Sequence, residues 1–188
     1  MIWAHRFLFI HATAAALALL VAQPAHAVTR EQLKQCEGKD DVSPDQRITS
    51  CTAVIEQNRS KKLKSSGYTD RGKAYRAKGD SESAIRDFDE AIKLDPKDGE
   101  AIYNRGMAFR DRGDIDRALQ DLELAVKYDK RNATALSTLS HIYYDKRDYD
   151  NAINVLNSAI KLNSNYALAY YNRGMAYRAK GEPDRAIP

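Results

Sequence analysis

The 188-residue sequence predicts an all-α protein, and two observations carry this prediction. Chemically similar residues recur every 34 positions, beginning with residues 65–98. Within each unit, apolar residues recur at the three- and four-residue spacing of a helix, and a short turn separates two such stretches. No unit can bury its apolar face alone. We therefore expect the units to stack into an α-solenoid, a right-handed superhelix of antiparallel helix pairs.

The first 27 residues are typical of an export signal, and their style is bacterial. Arg6 is the only charge, an apolar run spans residues 7–22, and Ala25 and Ala27 form a small-x-small cleavage site. The apolar run is too short to favour a membrane span. We expect cleavage after Ala27 and a periplasmic or secreted protein that is not integral to a membrane. An uncleaved N-terminal anchor is the alternative.

Composition after signal removal argues against catalysis and against nucleic-acid binding. Subtracting Arg6 lowers the net charge from +4 to about +3, and no unit interleaves basic residues with exposed aromatics on one face. His141 is then the one histidine. Neither a catalytic arrangement around it, nor a phosphate-binding glycine loop, nor metal-ligand spacing is evident. The sequence predicts a protein that is not an enzyme and uses no cofactor or metal.

The segment before the clear repeats predicts two helices. Residues 29–36 form a short one, and a second begins with Ser43 as N-cap and Pro44 at the first helical position. Its apolar residues continue at helical spacing to about Gln57. Residues 59–64 are rich in lysine and arginine, and we interpret them as a basic linker.

Cys36 and Cys51 are the two cysteines of the sequence, and each lies on one of these predicted helices. Export would place them where disulfides persist. We predict a Cys36–Cys51 disulfide that staples residues 28–64 into a helical segment capping the array. A redox-active pair is the alternative, and the lack of a C-x-x-C motif disfavours it.

The repeats themselves each predict helix A, a turn and helix B. In the first unit, Tyr68 and Gly72 mark one face of helix A, and Phe88 lies on the apolar face of helix B. Gly79 suits the left-handed end of helix A, and Asp80 can cap helix B. We assign the units to residues 65–98, 99–132 and 133–166, with an incomplete fourth unit at 167–188.

This 34-residue period, with its order of large, small and aromatic residues, resembles the tetratricopeptide repeat over residues 65–188. The resemblance implies a scaffold for protein–protein interaction whose concave groove is lined by helix A. The positions matching that lining are Tyr103, Asn104, Met107 and Arg110; Thr138, His141 and Tyr144; and Tyr171, Asn172, Met175 and Arg178. The first unit offers Thr69, Asp70, Lys73 and Arg76.

These groove residues predict an amphipathic surface. Tyrosine and methionine offer adaptable apolar contact, asparagine can bond a peptide backbone, and arginine can meet carboxylates. Repeats that clamp a chaperone's C-terminal carboxylates use a lysine, asparagine and arginine set that these positions do not reproduce. A solvated face without a ligand is the alternative.

Residues that stand 34 positions apart form a column, and two columns change together between units. They hold an arginine on helix A and an aspartate on helix B twice, and then two apolar residues: Arg71 and Asp87, Arg105 and Asp121, Leu139 and Val155. Losing one partner of a buried ion pair strands a charge, so such a pair changes jointly. We predict that these positions face each other between the helices. Arg173, in the fourth unit, is expected to lack its partner.

The predicted function is capture of a protein or peptide partner in the groove. On this interpretation, Tyr103→Ala with Asn172→Ala abolishes partner capture and leaves the melting temperature unchanged. Two alternatives remain. One is self-association through the C-terminal end, where we expect Tyr170, Gly174 and Tyr177 to be exposed. The other is binding of cell-envelope polysaccharide on tyrosine platforms.

Overall fold

The computed structural model describes residues 28–39, 41–57 and 60–186. The predicted export signal and its cleavage site lie outside these residues. In the described part the chain forms helices and no strands. The helices are α1 (Arg30–Glu37), α2 (Pro44–Gln57), α3 (Lys61–Ala77), α4 (Ser81–Leu94), α5 (Gly99–Asp111), α6 (Ile115–Tyr128), α7 (Ala133–Asp145), α8 (Tyr149–Leu162), α9 (Ala167–Lys180) and a 3-10 helix (Pro183–Ala186).

Both predicted N-terminal helices are confirmed. The Thr29 hydroxyl caps α1 by accepting a hydrogen bond from the backbone N–H of Gln32. The side-chain oxygen of Gln32 in turn accepts from the backbone N–H of Thr29, which completes a capping box. Helix α2 begins at Pro44 and ends at Gln57, as expected. The Ser43 hydroxyl accepts a hydrogen bond from the backbone of Gln46 at 3.3 Å.

The prediction of a basic linker over residues 59–64 was wrong from Lys61 onward. Helix α3 begins there, because Ser60 acts as its N-cap and its hydroxyl accepts from the Leu63 amide at 3.4 Å. Helix A of the first unit therefore has 17 residues, against 13 in α5. A serine followed by good helix formers extends the helix beyond the 34-residue pattern.

The predicted disulfide joins Cys36 of α1 to Cys51 of α2, with 4.7 Å between the two Cα atoms, and both cysteines are buried. Cys51 is the eighth residue of the 14-residue α2, and Phe88 is the eighth residue of the 14-residue α4. Gly72 lies against Phe88, so close that an added Cβ would lie 2.6 Å from its ring. The disulfide thus occupies the place of this Gly–Phe contact.

A second contact matches in the same way. The Ser50 hydroxyl donates to Gln35 at 2.7 Å, one residue before each cysteine. One residue before Gly72 and Phe88, Arg71 donates to Asp87 at 2.8 Å. The N-terminal hairpin is therefore a shortened, divergent helix pair in the register of the repeats, with a covalent bond at the place of the Gly–Phe contact.

The turns between helices A and B use one device throughout. Gly79 and Gly113 have positive φ angles of 81° and 82°, and the third unit places Arg147 there at 62°. An arginine in this left-handed region costs about 1 kcal/mol relative to glycine. Asp80, and its equivalents in the next two units, then cap helix B through their carboxylates.

The core runs along the array between the helices. The eighth residue of each helix B, Phe88, Leu122 or Leu156, is fully or almost fully buried. Each helix packs on the one before it and the one after it, and α3 also contacts α1 and α5. This nearest-neighbour arrangement is that of an α-solenoid. Helices α3, α5, α7 and α9 carry the predicted groove residues.

Candidate partner-binding groove

Buried ion pairs join helices A and B in the first two units, at the columns that change together. Arg71 donates twice to Asp87 at 2.8 Å and once to Thr52 at 2.9 Å. Arg105 donates twice to Asp121, also at 2.8 Å. Both aspartates are buried. The hydrogen bonds to Asp87 raise the pKa of Arg71 despite its partial burial.

The third unit keeps the contact without charge, since Leu139 is buried and Val155 packs against the same apolar cluster. In the fourth unit, the 188-residue sequence ends before the position of the helix B aspartate, and Arg173 makes other contacts. Its guanidinium donates to Asn157 at 2.8 Å and lies over the Tyr170 ring. Asn157 stands 68 residues after Asp89, which accepts from Arg105 in the same way, so the preceding helix B supplies this partner.

Ion pairs close the predicted groove at its N-terminal end. Lys73 contacts Asp70 at 2.6 Å and Glu100 at 2.9 Å, and Arg76 donates to Asp111 at 2.8 Å. Burial raises the pKa of Asp70, and the bond from Lys73 offsets only part of that effect. These charged groups thus pair with one another.

Several predicted groove residues of the first two units are not accessible. Asn104 and Met107 are each 7% exposed, and Thr69 is 4% exposed. The Asn104 side chain bonds the Glu100 carbonyl at 2.9 Å and accepts from Arg76 at 3.3 Å. The prediction that these three residues line an open groove was therefore wrong, because adjacent helices A pack directly on them.

Tyr103 and Thr138 are half-buried, with their hydroxyl oxygens 3.4 Å apart. Tyr103 also packs against the main apolar cluster. Tyr103→Ala would therefore remove core contacts as well as groove surface. Arg110, by contrast, is exposed.

An apolar cavity of about 200 Å³ opens between α7, α8 and α9. Five of its lining residues are predicted groove residues: His141, Tyr144, Tyr171, Asn172 and Met175. The structure thus brings together one cluster from the eleven positions proposed in the second to fourth units.

The rim of the cavity is polar and its edge is exposed. The Asn172 amide donates to Nε2 of His141 at 3.0 Å, joining α7 to α9 across the opening. Tyr171 is 66% exposed, the largest exposure of any large apolar side chain described. Met175 is 37% exposed beside it, and the Tyr144 ring is held edge-on by another tyrosine at 5.5 Å.

The floor of the cavity consists of residues that the sequence analysis missed as lining. Ala152, Leu156 and Ala176 are buried, and Ser140 completes the wall. They occupy positions where small or apolar residues recur from unit to unit, as Ala152 does after Ala118 and Leu156 after Leu122. The sequence contains a signal for this cavity, since alanines on facing helices leave space between them.

The C-terminal end of the array is covered in part. Tyr177 is only 8% exposed with the Arg185 guanidinium over its ring, and a Cβ at Gly174 would lie 3.2 Å from the backbone of Ala186. The expectation of an exposed flank was therefore wrong for Tyr177. The 3-10 helix packs there and leaves an open depression of about 600 Å³ that Tyr170 lines.

Residues 28–39, 41–57 and 60–186 contain no cluster of three or more histidine, cysteine or acidic side chains that could hold a metal ion. Across the same residues, no helix combines the length and the apolar character needed to cross a bilayer.

Comparisons with known proteins identify the repeats. A family model described as "Tetratricopeptide repeat" matches residues 69–135, and one described as "TPR repeat" matches residues 140–181. Together they match more than half of the chain. A comparison with curated proteins finds no match.

Solved structures agree with this fold. A crystal structure of MamA is 25% identical, with a TM-score of 0.69 over 82% of this chain and 86% of that chain. YrrB, titled a TPR protein with an unusual peptide-binding site, is 19% identical, with a TM-score of 0.66 over 82% and 76%. The Sgt2 TPR domain from Aspergillus fumigatus is 25% identical, with a TM-score of 0.57 over 66% and 84%. The chain belongs to the tetratricopeptide-repeat (TPR) family.

Proposed function

We propose that the protein is an exported TPR scaffold that binds a peptide or a partner helix in the groove between α7 and α9. The family model matches and the similarity to YrrB support a scaffold for protein–protein interaction. Repeats of this family are generally non-enzymatic. The observation that carries the proposal is the apolar cavity with exposed Tyr171 and Met175 at its edge.

The chemistry of the cavity suits a polypeptide ligand. Covering apolar surface at this edge stabilises a complex by about 25 cal/mol for each Å² removed from water. The His141–Asn172 pair on the rim can exchange its mutual hydrogen bond for bonds to a peptide backbone. An apolar pocket with a few polar groups at its mouth is the usual form of a binding site.

The proposal of export rests on the sequence of residues 1–27 and on the Cys36–Cys51 disulfide, which belongs in an oxidising compartment. Fractionation of the producing cell with N-terminal sequencing tests it. A periplasmic or secreted protein beginning at Val28 is the expected result. An intact N-terminus in the cytoplasm would contradict export without touching the groove.

Selection from a displayed library of random 12-residue peptides tests groove binding. Selected peptides should bind the purified protein and lose at least tenfold in affinity for Tyr171→Ala combined with Asn172→Ala. Tyr171 takes the place of Tyr103 in this double variant, because the exposed Tyr171 side chain contributes little to packing. The melting temperature, followed by circular dichroism, should stay within a few degrees.

Tyr128→Ala is the matched control, since Tyr128 is exposed on α6 and does not line the cavity. Peptides that bind wild type and the groove variant equally well would contradict the assignment of the groove. Failure to select any peptide would contradict the proposed function itself.

Self-association is a second candidate, favoured by the open depression beyond α9 that Tyr170 and Ala186 line. Sedimentation velocity over a hundredfold concentration range should then show a mass increase that Ala186→Glu abolishes. Ala179→Glu, an exposed position on α9, is the control. A constant monomer mass would remove this candidate.

A further inference from the structure

The size and walls of the cavity between α7 and α9 fit an aromatic ring. Its volume is about 200 Å³, and an apolar cavity of about 150 Å³ is enough to bind benzene. Two tyrosines, Tyr144 and Tyr171, and the thioether residue Met175 line the cavity. Contacts with tyrosine rings and with a thioether both favour an aromatic guest beyond its apolar area. An aliphatic guest would forgo them.

Positive charge flanks this cavity: Arg178 lines the adjoining depression together with Tyr171 and Met175, and Arg110 lies on α5. Arg110, Tyr144 and Arg178 are 34 residues apart and so hold the same place on the successive helices α5, α7 and α9. Both arginines are exposed. Within the part of the chain that the structure describes, Arg110 forms one ion pair, with Asp111 at 3.5 Å, and Arg76 already contacts that carboxylate at 2.8 Å.

The positive charge of Arg178 is the least compensated on α9. This helix contains no acidic residue. Lys180 is paired with two carboxylates, and Arg173 donates to Asn157. Among residues 28–39, 41–57 and 60–186, Arg178 has no hydrogen-bond or ion-pair partner. An exposed arginine without a carboxylate can accept one from a ligand.

We infer that the groove takes an acidic peptide segment that inserts one aromatic side chain between α7 and α9 and places a carboxylate on each side, one at Arg110 and one at Arg178. This inference rests on the proposed function. Arg178 is on α9, which forms one wall of the cavity, whereas Arg110 is on α5, beyond the other wall. The carboxylates therefore belong on opposite sides of the aromatic residue, within about four positions of it at about 3.3 Å per residue.

A single-stranded nucleic acid also combines rings with anionic groups, but the observations favour a peptide. Nucleic-acid grooves follow a backbone with a continuous run of basic residues. Here the two arginines are separated by Tyr144, and α7 contains neither lysine nor arginine. Nucleic acid is therefore an outcome of the test and not the ligand proposed.

Fluorescence polarisation with designed peptides tests the inference. The test peptide has one Phe with Glu three positions to either side, in a Gly/Ser background. It should bind, and replacing Phe by Ala, or both Glu by Gln, should weaken binding roughly tenfold or more. Arg178→Glu should weaken it to a similar extent. Of the two peptides that carry Lys in place of one Glu, one should recover binding to that variant, and it identifies the Glu that meets Arg178.

Arg112→Glu is the charge-matched control, since Arg112 is exposed in the turn after α5, outside the cavity. It should leave the affinity within twofold. Equal binding of the Glu and Gln peptides, or tighter binding of a labelled oligouridine, would overturn the inference. Displayed peptides that need Tyr171 but lack the aromatic and acidic pattern would overturn it and leave the groove function standing. No selected peptide at all would overturn both.

Discussion

The first two repeats and the third repeat join their helices by different chemistry. Arg71 and Arg105 each bridge to a buried aspartate on helix B, whereas Leu139 and Val155 make the same connection with apolar surface. The accessibility of the predicted groove also changes from the first repeat towards the C-terminal end. Ion pairs around Lys73 close it at the first repeat, and an apolar cavity opens it at α7 and α9.

This difference separates surface that is already satisfied from surface that is available. A ligand at the first repeat would have to displace carboxylates from Lys73 and Arg76, and the gain from a new ion pair would largely cancel the loss of the old one. At the cavity, Tyr171 and Met175 remain exposed, and Arg178 has no carboxylate partner among the described residues. We therefore place the proposed binding site in the C-terminal half of the array.

The largest expected effect comes from breaking one buried ion pair. Among the described residues, Asp87→Val leaves the Arg71 guanidinium, whose side chain is 17% exposed, with one hydrogen bond, to Thr52, and with the Tyr68 ring beneath it. We expect a loss of about 3 kcal/mol in the free energy of unfolding, measured by urea denaturation.

The double variant Arg71→Leu with Asp87→Val copies the third repeat into the first and is the matched comparison. It removes the charge together with its partner, so we expect its stability to lie within about 1 kcal/mol of wild type. Equal losses in the single and double variants would mean that the charges are not coupled, and the joint change of the two columns would need another cause.

Removing the disulfide tests whether the two ends of the array are stabilised independently. Cys36→Ala with Cys51→Ala should lower the free energy of unfolding by about 3 kcal/mol, because a closed loop of this size restricts the unfolded chain. Since each helix packs mainly on its neighbours, amide hydrogen exchange should accelerate in α1, α2 and α3.

Helices α7, α8 and α9 should keep their protection in this variant. A uniform acceleration across the array would show that the repeats unfold as one cooperative unit. Chemical reduction of the wild-type protein, which leaves the cysteine side chains in place, is the control for lost packing.

The repeat period was enough to predict the solenoid, because stacking imposes the same small and aromatic residues on every unit. It also predicted which columns face each other, since the positions of Arg71 and Asp87 change together from unit to unit. The period could not place the start of α3, which depends on the single residue Ser60. This cap lies before the first unit and has no counterpart at the same position in the next two units, whose helices A are capped by Asp98 and Asn132.

The candidate site was only partly predictable. Family position alone placed Asn104 and Tyr171 in one groove, but exposure depends on neighbouring helices that no single column describes. Asn104 is buried by contacts with Arg76 and Glu100, whereas Tyr171 is open. The cavity exists because of Ala152 and Ala176, whose small size matters only once α8 and α9 are packed together.

A smaller loss of stability is expected at Gly72, where helix A has no room for a side chain against Phe88 of helix B. Gly72→Ala would place a Cβ 2.6 Å from the ring of Phe88, which is fully buried and cannot move aside. Overpacking costs about 1–3 kcal/mol, and the higher helix propensity of alanine returns at most about 1 kcal/mol. We expect a net loss of about 1 kcal/mol by urea denaturation.

The third repeat provides the control, because Ser140 already carries a Cβ at the equivalent position, above the smaller Leu156. Its hydroxyl bonds the Ser137 carbonyl of its own helix at 2.7 Å, so Ser140→Ala removes one local hydrogen bond and adds no atoms. Its loss should stay below that of Gly72→Ala. If Gly72→Ala were instead stabilising, the ring of Phe88 would have room to shift, and the tight glycine contact would not distinguish the first repeat from the third.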